Sequence, residues 1–312
     1  MSRTANPHIH RLSENRGGRD FVVGDLHGCL PAFQQLLEAT RFNPSRDRIL
    51  CVGDLTHRGP DSLGCIQLLQ EPWFHCVRGN HEENTISALN THFGMPTANT
   101  DAFYQLAKDG GLWLCELIAK SFLKAPEAKL VSQALSDALF SIQSLPKILI
   151  VGEGKSRYHL VHAALLKNEN LRPDHPDFAK KCLLSAEELD RIAAGEIPLE
   201  NPRLLNGSKW LGAHIKAGEK QGVTSPLNQP PTFCGHTPLK HPASFLNHYH
   251  LDTGAGKPDK PNLERKLTAI HVGSGQIYQT PAGQPEPKIE PRDYARKIGK
   301  ALTKGKEIPP LQ

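Results

Sequence analysis

The chain has 312 residues, of which 38% are hydrophobic and 22% charged, with a formal net charge of +5. That length buries a sizeable core in one large domain or two small ones, and the composition excludes a disordered chain. No apolar run reaches the roughly 18 residues of a bilayer span, and a modest positive charge permits an anionic substrate without by itself arguing for nucleic acid.

Residues 1–18 are polar, lack the apolar core of a signal peptide and read as a flexible arm, so a cytoplasmic location without a membrane partner is the default expectation. The run Phe21-Val22-Val23-Gly24 predicts a first buried strand. Leu30, Phe33, Leu36 and Leu37 then recur at helical spacing. A second strand is expected over 48–52, a helix over 62–70 and a third strand over 74–77. This βαβαβ pattern with short connections implies a largely parallel sheet covered by helices. Residues 84–145 read as a helical insertion of two to four helices, including 102–108 and 112–123. Strands follow at 147–151 and 157–161, then a proline-rich irregular stretch, 165–230, with a short helix near 185–194. Long irregular segments on a scaffold usually carry specificity, so that stretch reads as a cap. Further strands are expected at 232–234 and 249–251, with a terminal hairpin of 267–272 and 276–279 around Gly273-Ser274-Gly275. From residue 283 on, Pro and Lys rise into a basic tail. The seven cysteines form no C-x-x-C pair and several sit in apolar runs, so buried reduced thiols are expected.

Five of the apolar runs end in Asp, Asn or His: Asp25 and His27, Asp54, Asn80 with His81, His162, and His236. Sheets with parallel strands gather ligands at the carboxyl ends of those strands. Strand positions i and i+2 point the same way, so Asp25 and His27 are expected to converge on one point. Taken singly, each residue has another reading. Asp25 and Asp54 suit turns or helix caps, Asn80 a left-handed turn, and His162 and His236 hydrogen-bonded core positions. A single site accounts for all six at once. Carboxylate, amide and imidazole without thiolate suit Mn, Fe or Zn, and an aspartate shared as a bridge lets the set fill two sites. Two metals about 3.5–4 Å apart lower the pKa of a bridging water, and the resulting hydroxide attacks phosphorus in line. Arg58 suits bidentate binding of phosphoryl oxygens. His81, next to Asn80, suits a general acid for the leaving oxygen.

The blocks Gly24-Asp25-Leu26-His27-Gly28, Gly53-Asp54 through Arg58-Gly59, Gly79-Asn80-His81-Glu82, His162-Ala163 and Gly235-His236-Thr237 resemble the phosphoprotein-phosphatase branch of the calcineurin-like metallophosphoesterases. Pro72-Trp73-Phe74 and Leu251-Asp252-Thr253-Gly254-Ala255 are similar to the bacterial and phage serine/threonine phosphatases in particular. The resemblance spans residues 19–282. It implies an α/β fold, the αββα sandwich, with a dinuclear centre that is usually Mn-dependent in bacteria. It assigns Asp25 and His27 to the first metal, Asp54 to both, and Asn80, His162 and His236 to the second.

Two positions depart from the pattern. The family usually carries an Asp where this chain has His57, and that Asp orients the catalytic histidine; Glu83 is a candidate to take its place. Symmetrical diadenosine tetraphosphatases, close relatives, also lack the Asp, whereas Glu82 favours the protein-phosphatase side. The Trp-rich block with a second phosphate-binding arginine is replaced by Leu204-Leu205-Asn206-Gly207-Ser208-Lys209, which leaves Lys209 as the nearest cation for the substrate. The function expected is phosphomonoester hydrolysis, on phosphoserine or phosphothreonine in proteins or on a small phosphoester. Hydrolysis of dinucleoside polyphosphates and a metal-binding pseudophosphatase acting as a binding module are the alternatives.

Overall fold

The apolar runs are buried on both faces, which is why they read as nearly continuous and not as alternating. In the computed structural model, which describes residues 6–94, 102–122, 126–216, 229–261 and 263–284, the first half of the chain comprises β1 (Ile9–Leu12), β2 (Asp20–Val23), α1 (Leu30–Ala39), β3 (Arg48–Cys51), α2 (Ser62–Gln67), β4 (Phe74–Cys76), α3 (Asn80–His92), α4 (Ala102–Lys108), α5 (Leu112–Ser121) and α6 (Pro126–Gln143). The second half comprises β5 (Ile148–Val151), β6 (Tyr158–Val161), α7 (Phe178–Cys182), α8 (Ala186–Ala193), α9 (Leu204–Gly207), α10 (Trp210–Lys216), β7 (Thr232–Cys234), β8 (Ala243–Phe245), β9 (His248–His250), β10 (Lys266–His271) and β11 (Ile277–Pro281).

Two sheets result, with strand orders β11-β10-β2-β3-β4 and β1-β5-β6-β7-β9-β8. β2, β3 and β4 are parallel, as are β6, β7 and β9. Side chains alternate across each strand. Val22, Leu50 and Val52 therefore meet Leu149, Leu160 and Phe233 of the other sheet, while Phe21, Val23 and Ile49 pack with Phe33 and Leu36 of α1. The outer face of the second sheet is covered by the cap, where Leu184, Leu189, Ile192 and Leu205 pack on Ile148, Ile150 and Val161. The layers are helix, sheet, sheet, helix. α8 starts on a capping box, with Glu188 N donating to Ser185 Oγ at 3.1 Å and Ser185 N to Glu188 Oε2 at 2.8 Å. All seven cysteines are free and buried. Among the described residues, no helix is long and apolar enough to cross a membrane.

The arm expected over 1–18 is shorter in the structure, because Ile9–Leu12 adds β1 as a parallel edge strand on β5. Its anchors are Ile9, buried against Ile148 and Ile150, and Leu12, half-buried against the core between the sheets. Two apolar residues three positions apart leave no strand period to read. The basic tail expected over 283–312 lies outside the described residues after residue 284.

His159, His248 and His250 share the cap-facing side of the second sheet, since His159 pairs with Thr232 and Thr232 with His248. Burial drives His159 and His248 down to about 3 and His250 to about 4. Each is neutral in the fold but takes up a proton near pH 6.5 once unfolded. Their neutral forms favour the fold fully above that value, and the contribution is lost as pH falls toward 4. The thermal midpoint is therefore expected to drop between pH 6.5 and 4, and more shallowly in His250→Leu. Equal slopes for the two proteins in a pH-resolved thermal melt would remove His250 from the acid response.

Candidate metal centre

The parallel strands β2, β3 and β4 deliver Asp25, Asp54 and Asn80 just beyond their carboxyl ends, and β6 and β7 of the other sheet deliver His162 and His236. Hydrogen bonds from His162 and His236 tie the sheets together at this point. His162 Nδ1 lies 2.8 Å from the Val52 carbonyl, and His236 N donates to both Asp25 oxygens at 3.2 and 3.1 Å.

Asp54 stands at the middle. Its Oδ2 is 3.7 Å from His27 Nε2 and 3.8 Å from His81 Nε2, and its Oδ1 is 3.3 Å from His162 Nε2. His27, Asp54 and His81 form one cluster of potential metal donors, and Asp54, His162 and His236 form another. Asn80 Oδ1 joins the second, 3.1 Å from His162 Nε2 and 2.8 Å from His236 Nδ1. Asp25 Oδ2 lies 3.9 Å from His27 Nε2. The six expected ligands are thus brought together. The route differs from the strand alternation expected for Asp25 and His27. β2 ends at Val23 and His27 has φ +46°, so a left-handed turn makes the two converge. Asp54, His57, Arg58 and His236 also have positive φ. Asp and His tolerate that region better than most residues, and clustered backbone strain of this kind is typical of functional sites.

Glu82, a family marker in the sequence, holds the centre in place. It is fully buried and accepts hydrogen bonds from Asp54 N at 2.8 Å, Leu55 N at 2.9 Å and Gly79 N at 2.9 Å. His81 Nε2 faces Arg58 Nη2 at 3.0 Å, and Arg58 Nη1 is hydrogen-bonded to His27 Nε2. His57 Nδ1 lies 2.6 Å from His81 Nδ1, and His57 Nε2 lies 3.1 Å from Thr85 Oγ1. The Thr85 hydroxyl donates to the His81 carbonyl at 3.0 Å, so it accepts from His57 Nε2–H. That leaves His57 Nδ1 to accept from His81 Nδ1–H. Burial pushes His57 down to about 3, so it positions His81 without a negative charge. Glu83 does not take over the missing carboxylate's role, because it is paired with Lys147 at 2.6 Å and Arg78 at 3.6 Å. Lys209 is exposed, and its charge reaches His236. Two more residues border the centre that the sequence did not single out as functional, Asp252 and Lys257. Asp252 lies within the Leu251-Asp252-Thr253-Gly254-Ala255 block, and Lys257 follows it after one more glycine.

The electrostatics fit a bound cation. Burial raises Asp25 well above the usual carboxylate range, with Asp252 and Asp54 adding to it. Burial would raise Asp54 as well, but His162 and His81 hold it well below. Burial disfavours a charge on His162, yet Asp54 keeps its pKa above the ordinary value. The field that draws a proton there draws a metal ion too. His162 Nδ1 is committed to Val52, so Nε2 is the atom offered to the centre, beside the Asn80 oxygen and His236 Nδ1. His236 Nε2 is buried without a hydrogen-bond partner.

The sequence model of the calcineurin-like phosphoesterases matches residues 21–253, most of the chain and all six of these residues. The chain belongs to that family. Among relatives of this calcineurin-like phosphoesterase, serine/threonine-protein phosphatase 1 of Salmonella typhimurium is 31% identical over 236 residues, covering 75% of this chain and 86% of that protein. Serine/threonine-protein phosphatase 2 of Escherichia coli is 32% identical over 236 residues, covering 75% and 87%. A symmetrical bis(5'-nucleosyl)-tetraphosphatase of Haemophilus ducreyi is 38% identical over 71 residues, 22% of this chain and 26% of that protein. The chain is a metal-dependent phosphatase.

Gly235 lets the two sheets meet in this phosphoesterase, since a Cβ there would lie 1.9 Å from Asp25 Oδ1. Gly235→Ala is expected to weaken Mn²⁺ binding at least tenfold, about 1.4 kcal/mol, with its far-UV dichroism retained. Unchanged affinity by titration calorimetry would mean the loop yields without moving Asp25.

Proposed function

We propose that the chain is a dinuclear phosphomonoesterase acting on phosphoserine or phosphothreonine in proteins. The observation that carries this reading is the Asp54 carboxylate, one oxygen of which faces His27 and His81 and the other His162. Asp25, His27 and Asp54 would hold one divalent cation, and Asp54, Asn80, His162 and His236 the other, with Mn the expected metal. Such cations supply positive charge at the phosphoryl oxygens and lower the pKa of a bound water.

The remaining work falls to side chains. Arg58 spans His27 and His81 with its two terminal nitrogens, and that planar fork matches two oxygens of a phosphoryl group. Lys209 lies at the rim, where it would meet the rest of the substrate. His81 is the general acid and delivers its proton from Nε2 to the leaving oxygen, while His57 holds the opposite ring nitrogen. Burial, together with His27, His57 and Arg58, keeps His81 well below the ordinary histidine value, and only Asp54 opposes this. The acid form is therefore scarce at neutral pH, and activated aryl esters are favoured over alkyl phosphates. The two full-length relatives named above, both protein phosphatases, support a phosphoprotein substrate.

Mn-loaded protein is expected to hydrolyse a phosphoserine peptide and p-nitrophenyl phosphate faster than diadenosine tetraphosphate. The reverse order would replace this reading with the nucleotide hydrolase. Asp54→Asn is expected to lose both metals and the activity together, and an inactive variant that retains two metals by elemental analysis would remove the bridge.

His57→Asp places a negative charge beside His81 and raises its pKa. The acid form then persists to higher pH. Turnover of alkyl phosphates should rise, and the alkaline limb of the rate profile should shift upward. An unmoved limb with lower activity on both ester types would give His57 a role beyond positioning. His81→Asn should slow alkyl esters by about 10²–10⁴ and aryl esters far less; equal losses would assign His81 to phosphate binding.

A further inference from the structure

Lys257 lies in the loop after β9, and that loop packs directly on the centre. Gly256 has φ +73°, and a Cβ there would lie 2.8 Å from His27 Cβ and 3.1 Å from Arg58 Cβ, so its backbone touches a proposed metal ligand and the proposed phosphate fork. The loop is held at both ends. Gly256 N donates to the Ala282 carbonyl at 2.9 Å, Lys257 N to Gly254 O at 3.1 Å, and Gln284 N to Lys257 O at 3.0 Å. Lys257 starts from a fixed backbone immediately beside Arg58.

Its side chain is half-buried. Nevertheless its ammonium makes no hydrogen bond and no ion pair with any described residue, whereas Lys147, Lys167 and Lys181 each hold a carboxylate at 2.6–2.7 Å. Lys257 interacts electrostatically with Arg58, Asp252 and Asp25, and its field reaches His27 and His236. Arg58, the proposed phosphate fork, is among these groups. Taking an ammonium partly out of water without a partner is costly, and here burial, with Arg58 adding to it, lowers its pKa to about 8. An anionic ligand would remove that cost. Exposed Lys209 carries no such penalty.

We propose that Lys257 is the second cationic phosphate-binding group of the site, acting with Arg58 on the phosphoryl oxygens of the substrate. This rests on the phosphomonoesterase reading, whose product is inorganic phosphate. A lysine gives a movable point charge in place of a rigid fork, so it adds attraction with little geometric selection. The competing account is structural, with Lys257 serving only to offset the buried Asp252 carboxylate.

The probe is inorganic phosphate, used as a product inhibitor of the Mn-loaded full chain with p-nitrophenyl phosphate as reporter. Lys257→Gln is expected to raise the inhibition constant for phosphate about tenfold and to raise KM. Mn²⁺ stoichiometry should stay at the parent value, and the thermal midpoint should not fall. Lys257→Arg should restore most of the phosphate affinity. An unchanged inhibition constant in Lys257→Gln, with the parent inhibited normally, overturns this inference and leaves the phosphomonoesterase reading standing. Recovery of phosphate affinity in Lys257→Gln/Asp252→Asn also overturns it, in favour of charge balance. A parent enzyme that neither releases phosphate from monoesters nor is inhibited by it overturns both readings.

Discussion

The centre depends on keeping one carboxylate, Asp54, ionised although it is almost fully buried. Burial by itself would protonate it, and His162, His81 and His27 supply the opposing field. Glu82 holds the Asp54 backbone from behind, and the His81 amide donates to Asp54 Oδ1 at 3.0 Å. The carboxylate therefore has little freedom to turn, and both its oxygens keep facing imidazoles. Asp25, Glu82 and Asp252 add further buried acids to the same small volume. Such a group of like charges is unfavourable without positive charge among them, which is the condition a site for divalent cations creates.

The additions to the two sheets act on this centre at identifiable atoms. The helical insertion reaches it through the turn between α4 and α5, where Arg58 N donates to the Gly110 carbonyl at 3.0 Å. The loop after β9 closes on the other side of Arg58 through Gly256. The arginine is gripped by segments about 50 and 200 positions away in sequence. The cap is joined just past His162, with Ala163 N donating to Leu205 O at 2.7 Å and Leu165 N to His248 Nε2 at 3.0 Å. Changes in cap packing thus bear on a histidine of the centre through one or two peptide units.

In the proposed mechanism, His57 keeps part of the role that a carboxylate has in the resembling phosphatases. An imidazole accepts a hydrogen bond from His81, as a carboxylate would, so the ring is still aimed. The missing part is the charge, and with it the help in holding a proton. Thr85 completes the arrangement by accepting the hydrogen bond from His57 Nε2–H, and its own hydroxyl is committed to the His81 carbonyl one helical turn back.

The sequence by itself determined the order of strands and helices around the centre and the six residues gathered there. Those signals are local: an apolar run buried on both faces, a glycine at its end, and an Asp, Asn or His just beyond. Tertiary structure decided everything that depends on residues distant in the chain. His159 and His162 share one segment, yet His159 faces the cap from within β6 while His162 lies past the strand end and turns toward Asp54. No periodicity separates them. β1 offers only Ile9 and Leu12 as apolar anchors, one toward each side of the sheet, and Glu83 is held by Lys147, 64 positions away. Lys257 follows the same rule. Its neighbours Arg58, Asp25 and Asp252 come together only when the loop after β9 folds back over the ends of β2 and β3, and no local pattern encodes contacts at that separation.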